Sequence, residues 1–170
     1  MPVSLEQLLA SRERRARHQK DLLGAYPGKS LVCLTVQLPG AVKRNDLSLT
    51  IARAAVEAVR QAFPVEYEEL RDLETGYEGY FLLPLAPADA KRVACRIEDT
   101  HPLGRLMDLD VLEMSGSAGH PQALGREAVG LPSRRCLLCR NEVRYCMRAR
   151  THSREELLAR IEQMVREYGI

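Results

Sequence analysis

Gly104-Arg105-Leu106-Met107-Asp108-Leu109-Asp110-Val111 reads as a β-strand that leaves a turn and enters a core. Side chains alternate between faces along a strand. Met107, Leu109 and Val111 therefore point one way, into apolar packing. Asp108 and Asp110 point the other way, together with Leu106 and Leu112. The strand continues to about Glu113, and Pro102 and Gly104 separate it from what comes before.

Outward from this strand the chain alternates helix and strand signals. Pro87 suits the first turn of a helix, running to about Asp99 with Ala90, Val93, Ala94 and Ile97 inward. Val65 to Leu73 and Glu78 to Leu83 are strand candidates on either side of a Thr75-Gly76 turn. Leu31 to Leu38 is an apolar, β-rich run, ended by Pro39-Gly40. Asn45 or Asp46 can cap a helix over 47–62, with Ile51, Ala55, Val59 and Ala62 inward. Ser4 and Gln7 form a capping box for a helix over 4–24. Its apolar stripe is Leu5, Leu8 and Leu9, returning at Leu22 and Leu23, and its middle, Arg12 to Lys20, is basic.

Residues 115–133, rich in Ser, Gly and Pro, read as a surface loop. A helix is expected over 136–149. A second capping box, Ser153 and Glu156, opens another to about Tyr168 with Leu157, Ile161 and Val165 at helical spacing. The expectation is an α+β (or α/β) fold: residues 1–170 as one domain, a mixed sheet of about four strands packed with helices, and a helical C-terminal third.

The chain has 170 residues, 45% hydrophobic and 28% charged, which suits a globular domain rather than a disordered one. Net charge is only +2, yet eight arginines and two acids lie between Arg126 and Arg154. Such a stretch favours phosphates or an acidic partner. Two Phe, no Trp and no aromatic-interleaved basic run argue against nucleic acid. No stretch is apolar enough for a membrane span, and the N-terminus lacks an apolar signal region. A cytoplasmic protein with free thiols is expected.

Two like-facing carboxylates about 7 Å apart along a strand can share a hard divalent cation. Magnesium, held by such a pair and by substrate phosphates, serves phosphoryl or nucleotidyl transfer. Arg105, at the mouth of the strand, can clamp a phosphate. On pattern alone the pair also fits a solvated strand face, against which Leu106 and Leu112 on that face argue. His101 is either a base or phosphate ligand, or a loop residue capping the helix before it. Cys136, Cys139, Cys146 and His152 have the spacing C-x2-C-x6-C-x5-H, which could complete a tetrahedral zinc site. A continuous helix would spread the cysteines over about 15 Å, so burial of Cys139, Val143 and Cys146 on one helix face is the reading favoured.

The run Glu98 to Val111 resembles the signature of the citrate lyase holo-acyl-carrier-protein synthase family. So does Arg134-Arg135-Cys136-Leu137-Leu138-Cys139, continued by Cys146, Arg148, Thr151 and His152. Leu8-Leu9 with Arg12-Glu13-Arg14 and Gln19, and Pro39-Gly40 with Lys43, are also similar. The likeness covers nearly the whole chain in order. Two departures, Gln37 and Ala41, flank Pro39-Gly40, in the loop that carries Lys43.

The resemblance implies transfer of the prosthetic group of triphosphoribosyl-dephospho-CoA onto a serine of the apo acyl carrier protein, the gamma subunit of citrate lyase, with release of pyrophosphate. Asp108 and Asp110 would then hold magnesium. Either of them, Glu98 or His101 would accept the serine proton. Arg105, Lys43, Arg126, Arg134 and Arg135 are candidates for substrate phosphates. Arg140, Arg144 and Arg148, or the basic N-terminal helix, suit docking of an acidic carrier protein. The alternative is a zinc-stabilised, non-catalytic interaction module for an acidic partner.

Overall fold

A computed structural model describes residues 1–115 and 119–169. The acidic strand is β4 (Met107–Ser115), in a sheet with β1 (Ser30–Val36), β2 (Tyr67–Leu73), β3 (Gly76–Leu83) and β5 (His120–Ala123). The strand order is β2-β3-β1-β4-β5, and every pairing is antiparallel. The expected mixed sheet of about four strands is therefore a five-stranded antiparallel one. The added strand, β5, falls in the stretch expected to be loop. Its Pro121 lacks an N–H and is tolerated because β5 is an edge strand. Residues 116–118 of that stretch lie outside the described residues.

Both faces of the sheet are covered. On one, Val32, Leu34, Phe81, Met107, Leu109 and Val111 pack with Ile51, Ala55 and Val59 of α2 (Asp46–Ala62). Ala90, Ala94 and Ile97 of α3 (Pro87–Thr100) and Ile161 and Met164 of α5 (Arg154–Tyr168) complete that core. Burial on both faces explains why β1 reads as an unbroken apolar run. Ala62, expected inward, is exposed, and Phe63 beyond it takes the buried place. Asn45 caps α2, and the boxes at Ser4 and Ser153 form as expected.

The second face carries α1 (Leu5–Ala25). Only its last turns are anchored apolarly: Leu22 and Leu23 pack on Leu31, Cys33, Tyr80, Leu82 and Leu112. Leu5 and Leu9, expected inward, are exposed. The inner stripe of the helix is instead Ser11, Arg15, His18 and Leu22, at spacings of 4, 3 and 4. Ser11 bonds Thr75 at 2.8 Å, Arg15 reaches Glu78 at 3.3 Å and His18 reaches Glu69 at 2.9 Å. A polar helix face thus lies over a polar stretch of sheet, beside the aspartates.

The helix expected over 136–149 is shortened to α4 (Val143–Ala149). Ahead of it the chain turns back on itself. Cys136 N–H donates to Asn141 O at 2.7 Å, Val143 N–H donates to Arg134 O at 2.9 Å, and Arg135 bridges Glu142.

Candidate active site

Register places the two carboxylates. Asp108 lies opposite Thr35 and Asp110 opposite Cys33 on β1, on the α1 side of the sheet. Asp110 is exposed and Asp108 half-buried. Desolvation by the surrounding protein, and then the negative charge of Asp108, push the Asp110 carboxyl above its usual range. Thr35 Oγ1 donates to Asp108 at 3.4 Å, and Arg134 stands 3.6 Å from the same carboxylate. The Cys33 thiol is pushed up to about 12 by burial, so it is no nucleophile at neutral pH.

β5 begins to pair only at Leu112, so among the described residues the edge of β4 from Met107 to Val111 lacks a neighbouring strand. Side chains and a loop take its place. Arg134 donates to the carbonyls of Arg105 at 3.0 Å and Met107 at 3.1 Å. Glu98 accepts Leu109 N–H at 2.9 Å, Lys91 donates to Leu109 O at 3.4 Å, and Leu124 N–H donates to Val111 O at 2.9 Å. Lys91 and Glu98 are seven residues apart on one face of α3, and both are buried. The backbone polar groups of the strand are therefore satisfied even where the sheet ends.

This assigns places to the residues singled out in the sequence. Glu98 is only 3% exposed and is held by Arg126 at 3.2 Å as well as by Leu109. Burial pushes its carboxyl up, opposed chiefly by the Arg134 charge. Arg126 is committed to Glu98, to Asp99 at 2.6 Å and to Pro132 O at 2.9 Å. His101 caps the end of α3: its Nδ1 accepts Leu103 N–H at 3.0 Å and its ring lies 5.4 Å from that of Tyr168. Arg135 donates to Arg140 O at 3.1 Å and is exposed.

Arg134 donates to the Arg105 backbone carbonyl at 3.0 Å, and burial, then the Arg134 charge, lower the Arg105 guanidinium. Lys43 repeats the pattern: burial first and Arg12 second pull its ammonium down, and its Nζ donates to Leu38 O. Arg15 was not singled out in the sequence, although it reaches Glu78 at 3.3 Å in the row of sheet residues that includes Thr35 and Asp108. The signal available was the 4-3-4 spacing of Ser11, Arg15, His18 and Leu22 inside a run read only as basic surface.

Cys136, Cys139, Cys146 and His152 converge: their ligand atoms all lie within 4.8 Å of one another, a group that could hold a metal ion. The turn ahead of α4 makes this possible, and it overturns the preference for simple packing on one helix face. Burial acts to raise the Cys136 thiol. The N–H groups of Leu138 and Cys139 and the neighbouring thiols outweigh it and bring the thiol down to about 7.

An antiparallel sheet thus carries a like-facing aspartate pair beside Arg134 and the basic helix α1, and the proteins that the chain resembles are transferases. The family model described as apo-citrate lyase phosphoribosyl-dephospho-CoA transferase matches residues 3–168. A Vibrio cholerae protein named "Probable apo-citrate lyase phosphoribosyl-dephospho-CoA transferase" is 38% identical over 99% of this chain and 95% of its own length. A Streptococcus pyogenes protein of the same name is 36% identical over 98% of this chain and 87% of its own. The chain belongs to the apo-citrate lyase phosphoribosyl-dephospho-CoA transferase family. No helix among the described residues is long and apolar enough to cross a membrane.

Proposed function

We propose that residues 1–170 form one cytoplasmic nucleotidyltransferase domain. It moves the phosphoribosyl-dephospho-CoA group from triphosphoribosyl-dephospho-CoA onto a serine of the apo acyl carrier protein, the gamma subunit of citrate lyase. The observation that carries this reading is the Asp108–Asp110 pair beside the crowded Arg105 and Arg134. Family membership supplies the substrates and favours the enzyme over a non-catalytic module.

A divalent cation fits the aspartate pair. Both donors are oxygens on one face of β4, and Asp110 ionises against the charge of Asp108. Magnesium held there would neutralise charge on the substrate's phosphate oxygens. Arg105 and Arg134 bind the triphosphate, with Lys43 and Arg12 at the mouth of the site. Arg135 is placed to meet phosphate from outside. Arg126 acts one step back, holding Glu98 and Asp99.

The serine oxygen bonds to the phosphorus nearest the ribose, and the bond from that phosphorus to the outer phosphates breaks. Pyrophosphate leaves with the electron pair. The serine proton passes to the carboxylate oxygen of Asp110 that a metal ion would leave free. Glu98 is enclosed, His101 is engaged as a cap, and Asp108 is already held by Thr35 and Arg134. Exposed Arg144 and Arg148, with Tyr145 and Met147 between them on α4, receive the acidic carrier protein.

The test is mass spectrometry of apo carrier protein incubated with this chain, magnesium and the triphosphoribosyl precursor. The expected result is a mass gain equal to the prosthetic group on one serine. No gain from folded enzyme overturns the proposal.

A further inference from the structure

Arg134 is the link between two parts of the molecule. Its side chain braces the Arg105 and Met107 carbonyls and faces Asp108, while its backbone carbonyl accepts Val143 N–H and so opens the segment that carries the cysteines. Cys136 stands two residues further on, Cys139 lies in the turn, Cys146 is on α4 and His152 follows it. Thr151 N–H donates to Cys146 O at 3.1 Å and brings the histidine back.

Apart from Leu137, which packs against the main core, little apolar burial holds this segment. α4 has only seven residues, too few for a helix to stand alone. Cys146 is its one buried residue, and Tyr145 and Met147 are 60% and 72% exposed. The four ligand atoms nonetheless converge, with Cys139 Sγ 3.4 Å from both Cys146 Sγ and His152 Nε2. A tetrahedral zinc with Zn–S near 2.3 Å and Zn–N near 2.0 Å has ligand–ligand edges of about 3.5–3.8 Å. Leu138 N–H points at Cys136 Sγ from 3.5 Å, as a donor to a thiolate would.

We propose that Cys136, Cys139, Cys146 and His152 bind one structural zinc ion, which fixes the 134–152 segment and thereby holds Arg134 against the Asp108 strand. Four protein ligands leave the metal no open position, so it does no chemistry itself. Arg134 is in this sense a residue positioned by the metal. Its consequence for transfer rests on the function proposed above; the zinc site does not.

The experiment uses the full chain purified under reducing conditions without chelator. Metal analysis is expected to find one zinc per chain, and cobalt(II) exchange to give thiolate-to-cobalt charge-transfer and tetrahedral d–d bands. Cys139→Ser and Cys146→Ser each lose the zinc, while Cys139→His, which restores a ligand, keeps it. Chelator stripping is expected to speed hydrogen exchange in 134–152 and 105–110, leave β1 and β3 protected, and lower kcat about a hundredfold. Added zinc restores all three. Absence of stoichiometric zinc and cobalt binding overturns the site, as does a Cys139–Cys146 disulfide in the purified chain. Zinc binding with unchanged exchange at 105–110 overturns the link to Arg134. Metal content, spectra and exchange need no substrate, so their failure is distinct from a failure of the transfer reaction.

Discussion

Glu98 accepts the backbone N–H of Leu109 at 2.9 Å, and Leu109 is the residue between the two aspartates. A carboxylate that the sequence offered as a proton acceptor thus holds the aspartate strand from its open edge. Glu98→Ala leaves Arg126 and the Leu109 N–H without their buried partner. Arg126 keeps Asp99 and Pro132 O, so the main cost is the unsatisfied buried N–H, about 1–3 kcal/mol. Glu98→Gln keeps an acceptor and loses less. Denaturant titration of both variants measures the difference. The acid limb of the kcat–pH profile is expected to survive in Glu98→Gln; its disappearance would make Glu98 the proton acceptor.

Asp108→Asn and Asp110→Asn are each expected to lower transfer about a hundredfold to a thousandfold. Circular dichroism should be unchanged, because neither carboxylate supports a core contact. Near-normal kcat in both folded variants would remove the aspartates from the chemistry.

The metal-free protein should be more stable as Asp110→Asn. In the fold this carboxyl titrates above its ordinary value, because desolvation and then the Asp108 charge oppose ionisation. In the unfolded chain it titrates near its usual value, about 3.9. Below that value the proton is bound in both states. As pH rises through the folded value, the unfolded state has already released its proton, and the fold loses stability. Near neutral pH the Tm of chelated Asp110→Asn should therefore exceed that of the parent, with the gap narrowing as pH falls towards about 4. An equal or lower Tm at neutral pH would contradict this. Asparagine should also abolish the rise in Tm that magnesium gives the parent.

Much of this architecture could be read in the chain, because local rules set it. The capping boxes at Ser4 and Ser153, the two-residue turn before Gly76 and the alternation in Met107–Val111 act over a few residues. What escaped depends on distant partners. β5 is a strand because Leu112 to Ser115 offers it an edge. Arg15 faces inward because the sheet beneath α1 is polar, a property that appears only when Thr35, Glu78 and Asp108 are brought into one row. The cysteines converge because a turn replaces helix ahead of Val143, and the apolar spacing of Cys139, Val143 and Cys146 mimicked a helix that does not form. Arg126 and Glu98 read as site residues from their charge, and the sequence could not show that they pair with each other against the Asp108 strand.

Charge reversal on α4 should weaken the carrier encounter and spare the chemistry. Arg144→Glu with Arg148→Glu is expected to raise KM for apo carrier protein several-fold, with kcat close to the parent. The effect should fade as salt rises, since screening at 0.1 M ionic strength acts within about 10 Å. Steady-state kinetics across a salt series checks it. A KM that ignores both substitution and salt would move the docking surface elsewhere.

Gly104 tests how closely the site depends on backbone packing. A Cβ built there would stand 2.4 Å from Ile97 O and 2.6 Å from Glu98 O, at the end of α3. Both are backbone atoms in a regular helix, so neither can swing aside as a side-chain tip would. Gly104→Ala must therefore push the 104–106 turn off α3, and that turn carries Arg105 and leads directly into Asp108. Overpacking of this kind destabilises by about 1–3 kcal/mol, and the displacement should lower kcat more than it raises KM. Gly130→Ala provides the contrast. Gly130 has a positive φ of 73° but open space around its Cβ position. It should lose some stability from backbone strain while kcat remains near the parent value. Equal kcat in the two variants would show that the close approach of Gly104 to α3 does not position the aspartate strand.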